Sequence, residues 1–307
     1  MDVIVNICKV TLEEGLMYAI LALGVYLSYS ILDFPDLSVD GSMPLGAVVT
    51  GILILHGVDP RLCLLAAFAC GALSGMLTGA LHVRLHIRPL LCGILTYTAL
   101  LSINLVLLLR FNGGSSVAAF FRKPTIFDVF PATLIPETIG GFRLRQLLVS
   151  LMLAVVCKLL LDAYLKTKSG LLLRATGDNE RFVAMLSCDP GQSKVMGLAL
   201  GNGFAALAGS VIAQAKSSAD QQMGVGMVVL GLSSVIIGLS LFRRCSRLKA
   251  TTMVALGSVC YKACLSAALA LGLPTEYLKL LMAALFVAAL LAGEPIQKRI
   301  RRRIHAA

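Results

Sequence analysis

The sequence predicts an all-α, polytopic integral membrane bundle of eight or nine spans, and three observations carry that prediction. Of 307 residues, 58% are hydrophobic and only 14% charged, where a soluble domain carries about 25% charged residues. Mean hydropathy is +0.87. Many apolar runs approach or exceed the roughly 20 residues that cross a bilayer as helix, and no soluble domain fits between them, so residues 1–307 read as a single transmembrane domain. The formal charge of +11 would suit nucleic acid. The basic residues, however, sit in short clusters at the ends of apolar runs, where they anchor topology, and nucleic-acid binding is rejected.

The first run, Leu16 to Leu32, lacks the basic start and small-residue cleavage site of a leader and is expected to be retained as a span. The turn-rich acidic segment from Asp33 to Pro44 follows, and then an apolar run, Leu45 to Leu55, too short to cross comfortably. This 33–55 region reads either as a broken or re-entrant element with Asp36, Ser38, Asp40 and Ser42 as its polar face, or as an ordinary loop. Arg61 to Val83 spans, with Gly71, Gly75 and Gly79 forming a smooth ridge on one face. Leu90 to Leu109 spans and carries Tyr97, Thr98 and Asn104, whose hydrogen-bonding capacity needs neighbouring helices or a watery path.

Arg110 to Arg145 is a long connector, and Gln146 to Leu165 spans with Lys158 and Asp162 one turn apart as an ion pair. Then come Val195 to Gln214, with repeated glycines, Met227 to Phe242, Ala250 to Leu271 and Tyr277 to Leu291. Lys262 falls about 16 Å into its helix from Thr251. A charge there normally faces a partner or a cavity, so Lys262 pairs with a buried acid, snorkels toward an interface, or attracts a substrate carboxylate.

Between two hydrophobic blocks lies one polar island, Lys166 to Lys194. A short helix is expected there, with Asp178 accepting from the first-turn amides, Glu180 in that turn, and Asp189-Pro190 ending the run. Phe182, Val183, Met185 and Leu186 then share one face, suited to another protein or to lipid headgroups. Basic clusters at Arg243-Arg244 with Arg247 and Lys249, and at Lys298 to Arg303, mark the cytoplasmic side. Counting back one crossing per span puts the island in the cytoplasm. The side of the N-terminus depends on whether 33–55 crosses or folds back.

The nine cysteines are scattered, without a C-x-x-C pair or His/Cys cluster, so neither a disulfide framework nor a metal site is expected. No phosphate loop and no catalytic set of carboxylates, Ser or His occurs, so no cofactor or catalytic residue is assigned.

Four stretches carry a resemblance: DLSVDGSMPLGAVV from Asp36, LLCGILTYTALLSINL from Leu90, the run from Gly170 to Gln214, and MGVGMVVLGLSSVIIG from Met223. Across nearly its whole length the chain resembles the permease subunits of bacterial ABC importers related to the branched-chain amino-acid permeases, and among them the tryptophan/tyrosine permeases. The resemblance implies a multi-pass inner-membrane subunit, non-catalytic itself, that forms the path for an amino acid, with a separate ABC ATPase below and an extracytoplasmic substrate-binding protein above. It assigns a coupling helix to 177–187, with Gly177, Asp178, Glu180, Phe182, Val183, Met185 and Leu186 at the ATPase. A homodimer embedded in lipid is expected. The rivals are an ion-gradient-driven secondary transporter and an ABC permease for a sugar or nucleoside.

Overall fold

Proline and acidic caps set where the long helices begin. In this computed structural model, which describes residues 2–128, 144–242, 248–272, 274, 277 and 280–289, Asp59-Pro60 opens α3 (Pro60–Leu85) and Asp189-Pro190 opens α8 (Pro190–Lys216). Each aspartate accepts the amide two residues on at 2.8 Å, and proline at the first helical position forfeits no hydrogen bond. Arg88-Pro89 opens α4 (Pro89–Phe111) with the proline alone, without a side-chain cap.

The other elements are α1 (Asp2–Val25), continued by a π-helical stretch over Tyr26–Ile31, and α2 (Val39–Leu55). Strand β1 (Val117–Ala119) precedes α5 (Leu144–Tyr164), α6 (Lys168–Asp178) and α7 (Glu180–Met185). After α8 come β2 (Ser218–Asp220), a 3₁₀ turn over Gln221–Gly224, α9 (Met227–Leu241), α10 (Ala250–Ala270) and a last apolar helix, α11 (Leu280–Ala289). Seven helical stretches among the described residues are long and apolar enough to cross a membrane, and α2 and α11 are shorter apolar helices. The polytopic helical bundle is therefore as expected. Among the described residues its one sheet is the antiparallel ribbon of β1 and β2, Ala118 opposite Ala219.

Small residues hold the bundle together. The ridge of Gly71, Gly75 and Gly79 lies directly on α8, where side chains would overlap Ala206 and the Leu198 carbonyl and press on Val195. Gly46 of α2 meets the backbone of Ala206, and Gly209 of α8 meets the carbonyl of Met43. Without water between helices, such backbone approach is what lets dispersion and polar contacts accumulate. Helix α8 is consequently enclosed by α1, α2 and α3, whereas α4 and α5 present exposed leucines outward.

Two ends of the bundle can be distinguished. At the loop end, Gly177 of α6 packs on the carbonyl of Ile31. At the ribbon end, Gly51 of α2 lies between Ala118 and Ala219. The chain between Ile31 and Gly51 therefore links one end to the other. The 33–55 element is broken, with Asp33 at φ +53° and no helix until Val39, and it runs from the loop end to the ribbon end of the bundle. Of the basic markers, residues 243–247 and 298–303 lie outside the described residues, as do 129–143 of the long connector.

Candidate functional site

The break leaves α2 starting inside the bundle, and the sequence supplies its own anions for the exposed helix start. Asp36 accepts the Ser38 amide at 2.8 Å through Oδ1, and its Oδ2 accepts Asn202 Nδ2 at 2.7 Å. The Ser38 hydroxyl lies 2.5 Å from Asp36 Oδ1 and 3.1 Å from Asn202 Oδ1, so one proton serves two acceptors. Ser42 donates to Asn202 Oδ1 at 2.6 Å, and Asn202 Nδ2 also reaches the Leu198 carbonyl at 3.1 Å. All four side chains are buried. Asn202 thus uses both faces of its amide to bind the broken element to α8.

Asp40 does the same for a second interior start. Its Oδ1 accepts the Val228 amide at 2.7 Å and its Oδ2 the Gly226 amide at 3.3 Å, which caps α9 from α2. Pro44 has no amide to give the Asp40 carbonyl, and Gly224, lacking a Cβ, closes onto that carbonyl and the proline ring. Gly226 takes φ +87°, as a turn into α9 requires. The start of α9 has its first amides answered by the Asp40 carboxylate. At α2, Asp36 takes the Ser38 amide just ahead of the helix, while the Asp40 and Gly41 amides return to the Leu37 and Ser38 carbonyls.

The structure brings Asp36, Ser38 and Ser42 together at Asn202, turns Asp40 to the start of α9, and leaves the remaining path candidates outside that cluster. Asn104 donates to the Gly41 carbonyl at 3.2 Å and is buried between α4 and α2. Thr98 faces outward, its hydroxyl returned to the Leu95 carbonyl at 2.9 Å, and Tyr97 is half-buried. Lys262 pairs with Glu14 at 2.8 Å and lies 4.0 Å from the Tyr18 ring centroid, joining α10 to α1. Asn202 escaped the sequence reading, its only signal being a lone amide in a run of small residues. Gln214 escaped it too. Its Oε1 accepts the Ile126 amide at 2.7 Å and fastens the long connector to α8.

At the loop end the polar island folds into two helices where one was expected. Thr167 caps α6, accepting the Gly170 amide at 3.3 Å. Asp178 closes α6 and is not the cap of the next helix. That cap is Asn179, whose extended backbone and Oδ1, 3.1 Å from the Phe182 amide, open α7. Capping requires a residue outside the helix, and Asp178 is still inside the preceding one. Glu180 reaches Lys194 at 2.8 Å, tying α7 to α8. The four apolar residues do not share one face: Val183 is fully buried against the bundle, while Phe182, Met185 and Leu186 are 53%, 78% and 58% exposed. Gly177 is spent on packing against Ile31.

A bundle of membrane-spanning helices with two interior helix starts, bound by small residues and carrying a polar helical loop at one end, is the build of a solute permease. Residues 11–290 match the family model described as branched-chain amino acid transport system / permease component, and the chain belongs to that family. It is 37% identical over 92% of its length, and 90% of the relative's, to the tyrosine transport system permease protein of Clostridioides difficile (strain R20291). It is 30% identical to the uncharacterized protein RP368 of Rickettsia prowazekii (strain Madrid E), over 90% of this chain and 94% of that one. A probable branched-chain amino acid transport permease protein LivH of Methanocaldococcus jannaschii is 28% identical over 66% of each. The chain is thus a multi-pass inner-membrane permease subunit of an ABC importer, a class whose membership implies an ATPase and a substrate-binding protein as partners.

Proposed function

We propose that this subunit carries an aromatic amino acid, works as a homodimer, is itself non-catalytic, and is driven through α7 by a separate cytoplasmic ATPase. The observation that carries the coupling role is the exposed trio of Phe182, Met185 and Leu186 on a short helix. That helix is fixed to its own bundle by Val183, the Asn179 cap and the Glu180–Lys194 pair. Apolar side chains held out at the loop end, on a helix that cannot turn to hide them, suit insertion into a groove on a protein partner. Closure of the ATPase dimer on ATP would move the two α7 helices together. It shifts the bundle between access states only in so far as ATP binds one state better.

The aromatic substrate rests on the Clostridioides difficile relative, named for tyrosine transport. Met185→Asp tests the coupling role. The variant is expected to fold, since Met185 is mostly exposed, to lose co-purification with the ATPase, and to lose uptake. A complex that survives with uptake intact overturns it, as does ATP-independent uptake by the purified chain under an ion gradient. Thermal shift of the cognate binding protein with tyrosine, tryptophan and phenylalanine against leucine and valine tests the substrate. Co-purification of two differently tagged copies tests the homodimer.

A further inference from the structure

Beside the loop end of α5 is an open cleft of about 410 Å³, lined by Tyr26, Asp162, Lys166, Arg174, Lys249 and the start of α10. Its charges converge from three separate elements, whereas anchoring of a helix end needs only scattered cations. Asp162 is the one acid in the lining, and it is already saturated. Lys158 and Lys249 each stand 3.1 Å from its Oδ2, and the Thr251 hydroxyl donates to Oδ1 at 2.6 Å. Lys166 and Arg174 therefore enter the same cleft with no acidic partner among the described residues. The cleft also receives the first residues of α10, Ala250 and Thr251, and that 21-residue helix has no side-chain cap. Two surplus cations and an uncapped helix start converge on one space at the membrane boundary, and both favour an anion.

We infer that this cleft binds a phosphate group, with Arg174 and Lys166 as its principal contacts and the first amides of α10 behind them. Such a group is available in the headgroup of an anionic phospholipid or as free phosphate, and basic pockets between membrane helices are suited to the former. Arg174 supplies paired donors for two phosphate oxygens, and Lys166 adds a point charge. Asp162 positions Lys249 and Thr251 and does not touch the anion.

The test uses the purified full chain in neutral detergent, titrated with dioctanoyl phosphatidylglycerol, dioctanoyl phosphatidylcholine or inorganic phosphate, and read by native mass spectrometry and thermal shift. Phosphatidylglycerol is expected to bind and to raise the melting temperature, while phosphatidylcholine, whose headgroup is neutral overall, does not. Lys166→Gln/Arg174→Gln is expected to weaken binding about 25-fold, at roughly fivefold per charge. Lys168→Gln/Arg181→Gln removes two charges from the same loop but outside the cleft, and is expected to leave binding within about twofold. Stabilisation by millimolar inorganic phosphate equal to that by phosphatidylglycerol assigns the site to a free anion; a response to the lipid alone assigns it to a headgroup. Equal weakening by both double variants, equal binding of phosphatidylcholine, or no binding by either net-anionic probe overturns the inference.

Discussion

Replacing Asn202 by leucine should lower the stability of this permease by about 3 kcal/mol, and the structure says where that figure comes from. Leucine keeps asparagine's branched outline with bulkier methyl ends, so it leaves no cavity, and the loss is in hydrogen bonds with some overpacking added. Ser42 can fall back on the Val39 carbonyl, 3.4 Å away, and Ser38 keeps Asp36 at 2.5 Å. What has no substitute is Asp36 Oδ2, whose bond at 2.7 Å comes from Asn202. A buried polar atom stripped of its partner costs about 1–3 kcal/mol, and more when charged. Asp36→Ala removes the same bond from the other side, so the double variant should fall short of the sum by about 1–3 kcal/mol. The chain has no tryptophan, so the assay is thermal unmasking of the buried thiols Cys63, Cys92 and Cys157 in detergent, after the exposed Cys188 and Cys264 are blocked. A loss on the order of 10 °C is expected for Asn202→Leu. A melting temperature within about 2 °C of wild type, or strictly additive shifts in the double variant, would refute a structural junction at Asp36 and Asn202.

Three further substitutions probe the bundle by the same assay. Gly75→Ala drives a Cβ into the Leu198 carbonyl and should cost about 1–3 kcal/mol. Gly57→Ala, at φ +83° with open space around it, should cost about 1 kcal/mol from backbone strain alone. The reverse order of melting temperatures would mean that α3 and α8 do not approach as closely as described. Lys262→Met leaves Glu14 without its cation and should cost about 1–2 kcal/mol, a moderate loss because the Glu14 side chain is 38% exposed. Adding Glu14→Gln should recover most of it. If Lys262→Met alone melts like the wild type, the pair is not structural.

How much was legible in the sequence follows from the range of each interaction. Helices α3, α4, α8 and α10 could be placed because apolar length and proline caps are local signals, and the glycine ridge because a four-residue spacing lands on one helix face. The Lys158–Asp162 pair was legible for the same reason. Asn202 was not, since its partners Ser38 and Ser42 lie 164 and 160 positions away. The cap of α7 was misplaced by one residue because Asp178 and Asn179 are both good caps. Only the folding of 168–178 into a helix, which the run KTKSGLLLRATG does not announce by periodicity, decides between them. The same short-range ambiguity spread Phe182, Val183, Met185 and Leu186 onto one face, whereas packing against the bundle takes Val183 inward and leaves the others out.

The charges read as path candidates acquire a different meaning once their partners are known. An amino-acid solute presents a carboxylate, and an interior helix start is well placed to receive one. Here the starts of α2 and α9 are occupied by Asp36 and Asp40, and Lys262 is held by Glu14. A solute carboxylate would have to displace a tethered carboxylate whose effective concentration is far higher than its own. The same residues do, however, fix α2 to both α8 and α9. Any movement of the broken element must carry those helices with it or break buried hydrogen bonds to acids, a steep cost that favours a few discrete arrangements over continuous deformation. With Lys262 held by Glu14, the path candidates among the described residues leave no cation free for a solute carboxylate.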